Sequence, residues 1–113
     1  MIYRMRTFEM TTSIGGESQQ NFTKWMKMAM KYTIEKWPDV NAKYLGIMFD
    51  SPKQAFVTRH DSIAASQEWY HEFFNDDGMK QLFDELQETE RSVGQPVFDG
   101  WNDTFFNEIP LED

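Results

Sequence analysis

Arg4 and Arg6 stand two residues apart in the opening stretch IYRMRTFEM, whose other side chains are mostly apolar, aromatic or β-branched. On an extended strand both guanidiniums leave the same face, because side chains alternate with a period of two. Such a pair can hold an anionic oxygen of a small molecule, an enolate or phenolate for example, through several charge-assisted hydrogen bonds. Its other fate is an ion pair with carboxylates of the last strand or of a partner subunit, Asp99 or Asp103, and polar groups beside an apolar face are more often paired in this way than catalytic. His60 closes the stretch KQAFVTRH, where an imidazole can exchange a proton near neutral pH or act as a hydrogen-bonded strand end. Trp69, in AASQEWYHEFF, offers a flat apolar wall for a ligand, or ordinary core. His71, two residues on, reads as a solvent-facing helix residue.

Other chemistries find no support. Two histidines and no cysteine give no metal cage by spacing, no thiol nucleophile and no disulfide. HEXXH and GXSXG are absent. NDDG at 75–78 is no calcium loop, since counting back from Gly78 puts Phe73 at the first ligand position. IGG near 15 lacks the lysine and hydroxyl of a phosphate loop. The expected cofactor and metal complement is none.

Elements must hold these residues in place. Residues 2–10 predict a strand ended by the TTSIGG turn cluster. From about 17 to 37, Phe22, Trp25, Met26, Ala29, Met30, Thr33, Ile34 and Trp37 recur at three and four, one stripe of a helix that Pro38 stops. Residues 40–49 read as a strand apolar on both faces, turned at Asp50, Ser51 and Pro52 into a third strand, KQAFVTRH. Asp61 or Ser62 caps the next helix, which carries Trp69, Tyr70, Phe73 and Phe74. NDDG interrupts it, and Met79, Leu82, Phe83, Leu86 and Val93 resume a helical stripe ended by Gly94. The stretch QPVFDGWNDTFFNEI alternates as a long last strand. The aromatic stripe of Trp25, Trp37, Trp69, Phe73, Trp101 and Phe105 is expected to be core.

The order strand, helix, strand, strand, helix, strand predicts an α+β fold of the ferredoxin-like split βαβ type, a four-stranded antiparallel sheet with two helices on one face. Residues 1–113 are expected to form a single domain, with no repeat or linker dividing them. The other sheet face also carries apolar side chains, so a monomer would leave them wet. At roughly 25 cal/mol per Å², even some hundreds of Å² forgo several kcal/mol, comparable with a domain's net stability. A two-fold homodimer packed sheet on sheet removes that penalty.

Charge narrows the partners. Residues 1–60 hold nine bases and five acids, residues 61–113 two bases and fourteen acids, for a net charge of −8. That excess of carboxylates opposes a phosphate backbone or an anionic bilayer, so neither nucleic acid nor membrane is an expected partner. No apolar run approaches the roughly 20 residues needed to cross a bilayer, and MIYRMRTFEM lacks a signal peptide's apolar region, so the expected location is cytoplasmic. If the helices lie side by side, Lys24, Lys27 and Lys31 are expected to approach Glu68, Glu72, Asp84 and Glu88, pairs worth about 0–1 kcal/mol each.

The element order, and the passage FVTRHDSIAASQEWYHEFF with His60, Asp61, Ser62 and Trp69, resemble the dimeric α+β barrel superfamily, nearest to the antibiotic-biosynthesis-monooxygenase-like proteins. That resemblance implies the dimeric barrel. The haem-degrading branch shares a tryptophan at the place of Trp69. Its axial histidine would fall where this chain has Met79, Leu82 and Phe83, and its first-strand asparagine where Arg6 and Thr7 stand. The cofactor-free oxygenases need only a dry pocket, a base or hydrogen bond for a substrate anion, and room for dioxygen. The expected function is binding of a small, mostly apolar organic ligand in a cleft between sheet and helices, with Arg4, Arg6, His60 and Trp69 around it. The alternative is a cofactor-independent monooxygenase of aromatic or polyketide-like substrates, with Arg6 and His60 as candidate catalytic residues. A filled barrel of purely structural role is the third reading.

Overall fold

β1 (Ile2–Met10) is the strand the opening residues predict, and it pairs antiparallel on both edges. The computed structural model describes residues 1–10, 17–46, 53–94 and 98–111. α1 (Glu17–Lys36) follows, then a 3-10 turn at Pro38–Val40, where proline's fixed φ suits a first helical position. β2 (Lys43–Gly46) and β3 (Lys53–His60) pair antiparallel; the turn predicted at Asp50–Pro52 and the rest of the long second strand lie outside the described residues. α2 (Ile63–Asn75) and α3 (Asp77–Val93) come next, and β4 (Phe98–Asn107) ends the fold.

The strand order is β2-β3-β1-β4 with every neighbouring pair antiparallel, the ferredoxin-like arrangement the element order predicts. The second helical stretch is cut in two, so three helices share the sheet face. Ser62 caps α2, its hydroxyl accepting from the Ala65 N–H. Asp76, within NDDG, breaks the stretch: its backbone is extended and its carboxylate accepts from the Met79 N–H, capping α3. Gly94 ends α3 at φ 77°, where only glycine is free of strain.

Asp76 also accepts from the Tyr32 hydroxyl at 2.5 Å and from the Lys36 ammonium, which ties the C-terminal end of α1 to the α2–α3 break. Burial alone would push its pKa up, but the hydrogen bonds from Lys36, Tyr32 and Met79 override that and hold it at about 2. Beside it, a Cβ added to Gly78 would overlap the Tyr32 phenol. Trp25 Nε1 donates to the Leu82 carbonyl at 2.6 Å, a second tie from α1 to α3.

Alternation puts Ile2, Arg4, Arg6 and Phe8 of β1, and Phe56, Thr58 and His60 of β3, toward the helices. Phe8, Phe22, Met79, Thr33, Thr58 and Ser66 are the most completely buried side chains. Of the α1 stripe, Phe22, Met26, Ala29, Met30 and Thr33 are buried and Trp25 and Trp37 half-buried, but Ile34 is exposed, since a stripe that wide exceeds the strip the helix buries. Trp101 and Phe105, expected in the core, are also exposed, because the helices stop short of β4. The uncovered sheet face is mixed: register places Met5, Val57, Leu45 and Phe106 there together with Lys43, Lys53, Arg59 and Thr104. The expected lysine face makes no ion pair with Glu68, Glu72, Asp84 or Glu88 among the described residues; the cross-helix pair is Lys36–Asp76.

Candidate functional site

Arg4 and Arg6 do leave one face of β1, and the register sets Asp103 of β4 opposite Arg6 and Phe105 opposite Arg4. One carboxylate receives both guanidiniums. Arg4 donates from Nη2 to Oδ2 at 2.9 Å and from Nε to Oδ1 at 3.3 Å; Arg6 donates from Nε to Oδ1 at 2.9 Å and from Nη2 to Oδ2 at 3.3 Å. Asp99, the other partner considered, is registered with Glu9 across a bulge. Between Thr7 and Glu9 of β1, β4 advances by three residues from Asn102 to Asp99, and Gly100 takes the φ of 65° that an extra residue of this kind requires. Burial would raise the pKa of Asp103, but the hydrogen bonds from Arg4 and Arg6 prevail and hold it below the ordinary carboxylate range.

α2 covers this cluster. Ser66 and Tyr70, one helical turn apart, share a face: Arg4 Nη1 donates to Ser66 Oγ at 3.3 Å, and the Arg4 and Arg6 guanidiniums lie 4.3 and 4.6 Å from the centre of the Tyr70 ring. The Tyr70 hydroxyl is buried and has no hydrogen-bond partner among the described residues. Burial raises its pKa, with the Asp103 carboxylate adding to it and the Arg6 and Arg4 charges opposing it, so it keeps its proton at neutral pH. Nothing in the sequence reading had singled out Tyr70; its four-residue spacing from Ser66, on the helix that must cover β1, is the signal that was there.

A cleft of about 360 Å³ opens beside this cluster, between the sheet and the three helices. Its walls are largely apolar, with Phe8, Met30, Phe73, Phe83, Leu86 and Trp101 among them, and Arg6, Asp103 and Asn102 stand at the β4 side. Trp101 packs on Phe8, ring centres 4.7 Å apart. Arg6 reaches the cleft with a quarter of its side chain exposed, whereas Arg4 is 12% exposed and lies behind it.

His60 and Trp69 are not among the cleft-lining residues. Both are buried, with ring centres 5.5 Å apart, and His60 Nε2 shares a hydrogen bond of 2.7 Å with Thr58 Oγ1, the strand-end role. Burial, reinforced by the Arg4 charge and opposed by Asp61, lowers the His60 pKa, so the ring is neutral at pH 7. His71 is exposed. Among the described residues no group of three or more His, Asp and Glu is placed to hold a metal, and no helix is long and apolar enough to cross a membrane.

Sheet order and helix placement define a ferredoxin-like α+β protein, and solved structures share that fold over nearly the whole chain. A candidate antibiotic biosynthesis monooxygenase of Deinococcus radiodurans matches with a TM-score of 0.62 at 10% identity, covering 100% of this chain and 97% of that one. An uncharacterised NIPSNAP domain protein of Burkholderia xenovorans matches with a TM-score of 0.65 at 14% identity, covering 100% and 99%. A dimeric protein of unknown function with a ferredoxin-like fold, from Bacteroides fragilis, matches at 0.64 and 7% identity, covering 95% of each chain. The resemblance drawn from the sequence therefore holds at the level of fold. No protein-family profile matches the chain, and no curated sequence does.

Proposed function

We propose that the protein binds a small, mostly apolar organic molecule in the cleft between sheet and helices, and that it does so as a homodimer. The observation that carries this reading is the cleft itself, an apolar concavity within the usual size range of ligand sites with one polar end. Support for the dimer comes from the uncovered sheet face, where Leu45 and Phe106 are each 46% exposed, and from the dimeric Bacteroides relative in fold. Mass spectrometry of the denatured, freshly purified protein tests the binding. A stoichiometric small molecule released from it is expected; a protein that releases none and takes up no apolar dye displaceable by small aromatics sinks the reading.

A cofactor-independent monooxygenase acting in the same cleft is the second reading. The buried, unpartnered Tyr70 hydroxyl beside Arg4 and Arg6 favours it, because such donors would stabilise a substrate enolate or phenolate. The residues to test are then Arg6 and Tyr70 at the cleft, with His60 and Trp69 in the adjoining core. Oxygen consumption with the released molecule as substrate decides: uptake lost in a folded Arg6→Ala variant supports turnover, and no uptake by the native protein removes it.

A further inference from the structure

We propose that the cleft selects an amphipathic monoanion, a small aromatic or aliphatic body bearing one carboxylate or equivalent oxyanion, whose head is taken by Arg6; this rests on the ligand-binding reading above. The charge at the polar end supports it. Arg4, Arg6 and Asp103 form one cluster of two cations and one anion, so after the internal ion pairs one positive charge is left over. The surplus is directed. Arg4 is turned away, with Nε and Nη2 on Asp103 and Nη1 on Ser66. Arg6 spends only Nε and one Nη2 contact on Asp103, and its Nη1 has no hydrogen-bond partner among the described residues, although the side chain lines the cleft. The other walls are almost wholly apolar, so a ligand anion there meets these unused donors with little competing water, the setting in which charge-assisted hydrogen bonds are strongest.

Asp103 sets the limit on charge. It shares the cleft edge with Arg6 and leaves the cluster a single positive charge in excess, so the second charge of a dianion would meet no counterion, and a cation would have to displace Arg6 from it. A neutral ligand gains only the apolar walls. The cluster therefore discriminates on the head group while the cleft accepts the body.

Calorimetric titration of the full chain with three probes of one shape tests this: 2-naphthoate, 2-naphthamide and 2-naphthylmethylammonium. Binding of 2-naphthoate at least about 10-fold tighter than the amide is expected, with the ammonium weakest, since a hydrogen bond to a charged group is worth about twice a neutral one. Asp103→Asn removes the opposing carboxylate and is expected to tighten 2-naphthoate several-fold while leaving the amide unchanged. Arg6→Gln is expected to erase the preference between acid and amide, with folding checked by circular dichroism; if that variant does not fold, the native ranking and Asp103→Asn decide. Equal binding of acid and amide, or tighter binding of the ammonium, overturns the anion proposal and leaves the apolar cleft intact. Failure of all three probes to bind overturns both.

Discussion

β1 has a different neighbour on each edge. On one side β3 lies under helices and buries every second residue, Phe56, Thr58 and His60; on the other, every residue from Gly100 to Leu111 is exposed, three large aromatics among them. Both strands are rich in apolar side chains. The difference lies in the layer above: the helices cover β3 and β1 and end before β4, so the cleft opens along that margin. Asp103 ties the exposed strand to the covered one at this seam, through two arginines rooted in β1. Composition therefore tells which side chains seek burial, and the reach of the neighbouring layer decides which of them find it within one chain.

The contrast can be broken from either side. On the covered side, Phe8→Ala removes a side chain with no exposed surface and is expected to cost about 3–5 kcal/mol in urea denaturation. A loss below about 1 kcal/mol would mean that the packed half is far looser than its burial implies. On the open side, Phe106→Asp is expected to convert the proposed dimer to monomer in sedimentation at micromolar concentration while the circular dichroism spectrum stays unchanged. A monomeric native protein would refute the dimer outright.

Smaller effects test the ties between helices. Asp76→Ala removes the cap of α3 and the acceptor of Tyr32 and Lys36, at an expected cost of about 1–2 kcal/mol. Acid should act through the same residue. The carboxyl titrates at about 2 in the folded chain against 3.8 ordinarily, so the unfolded chain binds its proton first. Its stabilisation is present above the ordinary value and is lost as pH falls from there through about 2. Asp103, also lowered, acts in the same direction. His60, a base with a lowered pKa, begins the decline earlier, as pH falls below 6.5, because the unfolded chain takes up that proton first. Urea midpoints should hold level from pH 8 to about 6.5, decline below that as the His60 contribution is lost, and decline again below about 4, where Asp76→Ala should flatten the curve. Lys36→Met is expected to have the smallest effect, a urea midpoint barely shifted from the native one, since nearly half of its side chain is exposed.

Much of the scaffold could be read from periodicity. The spacing of three and four from Phe22 to Trp37 carries α1, and Gly94 marks the end of α3 because one backbone conformation there excludes most other residues. Arg4 and Arg6 were legible as a pair from their spacing alone. Which carboxylate they meet was not, since the choice between Asp99 and Asp103 is set by the β1–β4 register, which puts Asp103 opposite Arg6 and Asp99 opposite Glu9, a pairing between strands distant in sequence. His60 and Trp69 were drawn toward the site by their place in the chain, yet they pack next to it, because closeness in sequence does not fix on which side of α2 a ring falls. Asp76 looked like part of a failed calcium loop; its ordinary role as a helix cap was the simpler chemistry.

Gly78 illustrates how such a role constrains a neighbour. In most helices, exchanging glycine for alanine adds about 1 kcal/mol of stability by stiffening the unfolded chain. At this position the new methyl group would evict the Tyr32 phenol from its seat, and with it one of the ligatures on Asp76. A consensus-style repair of this helix would thus unfasten the clasp between α1 and the elbow that precedes α3, so the vacancy at Gly78 is a keyhole cut for a side chain 46 residues upstream.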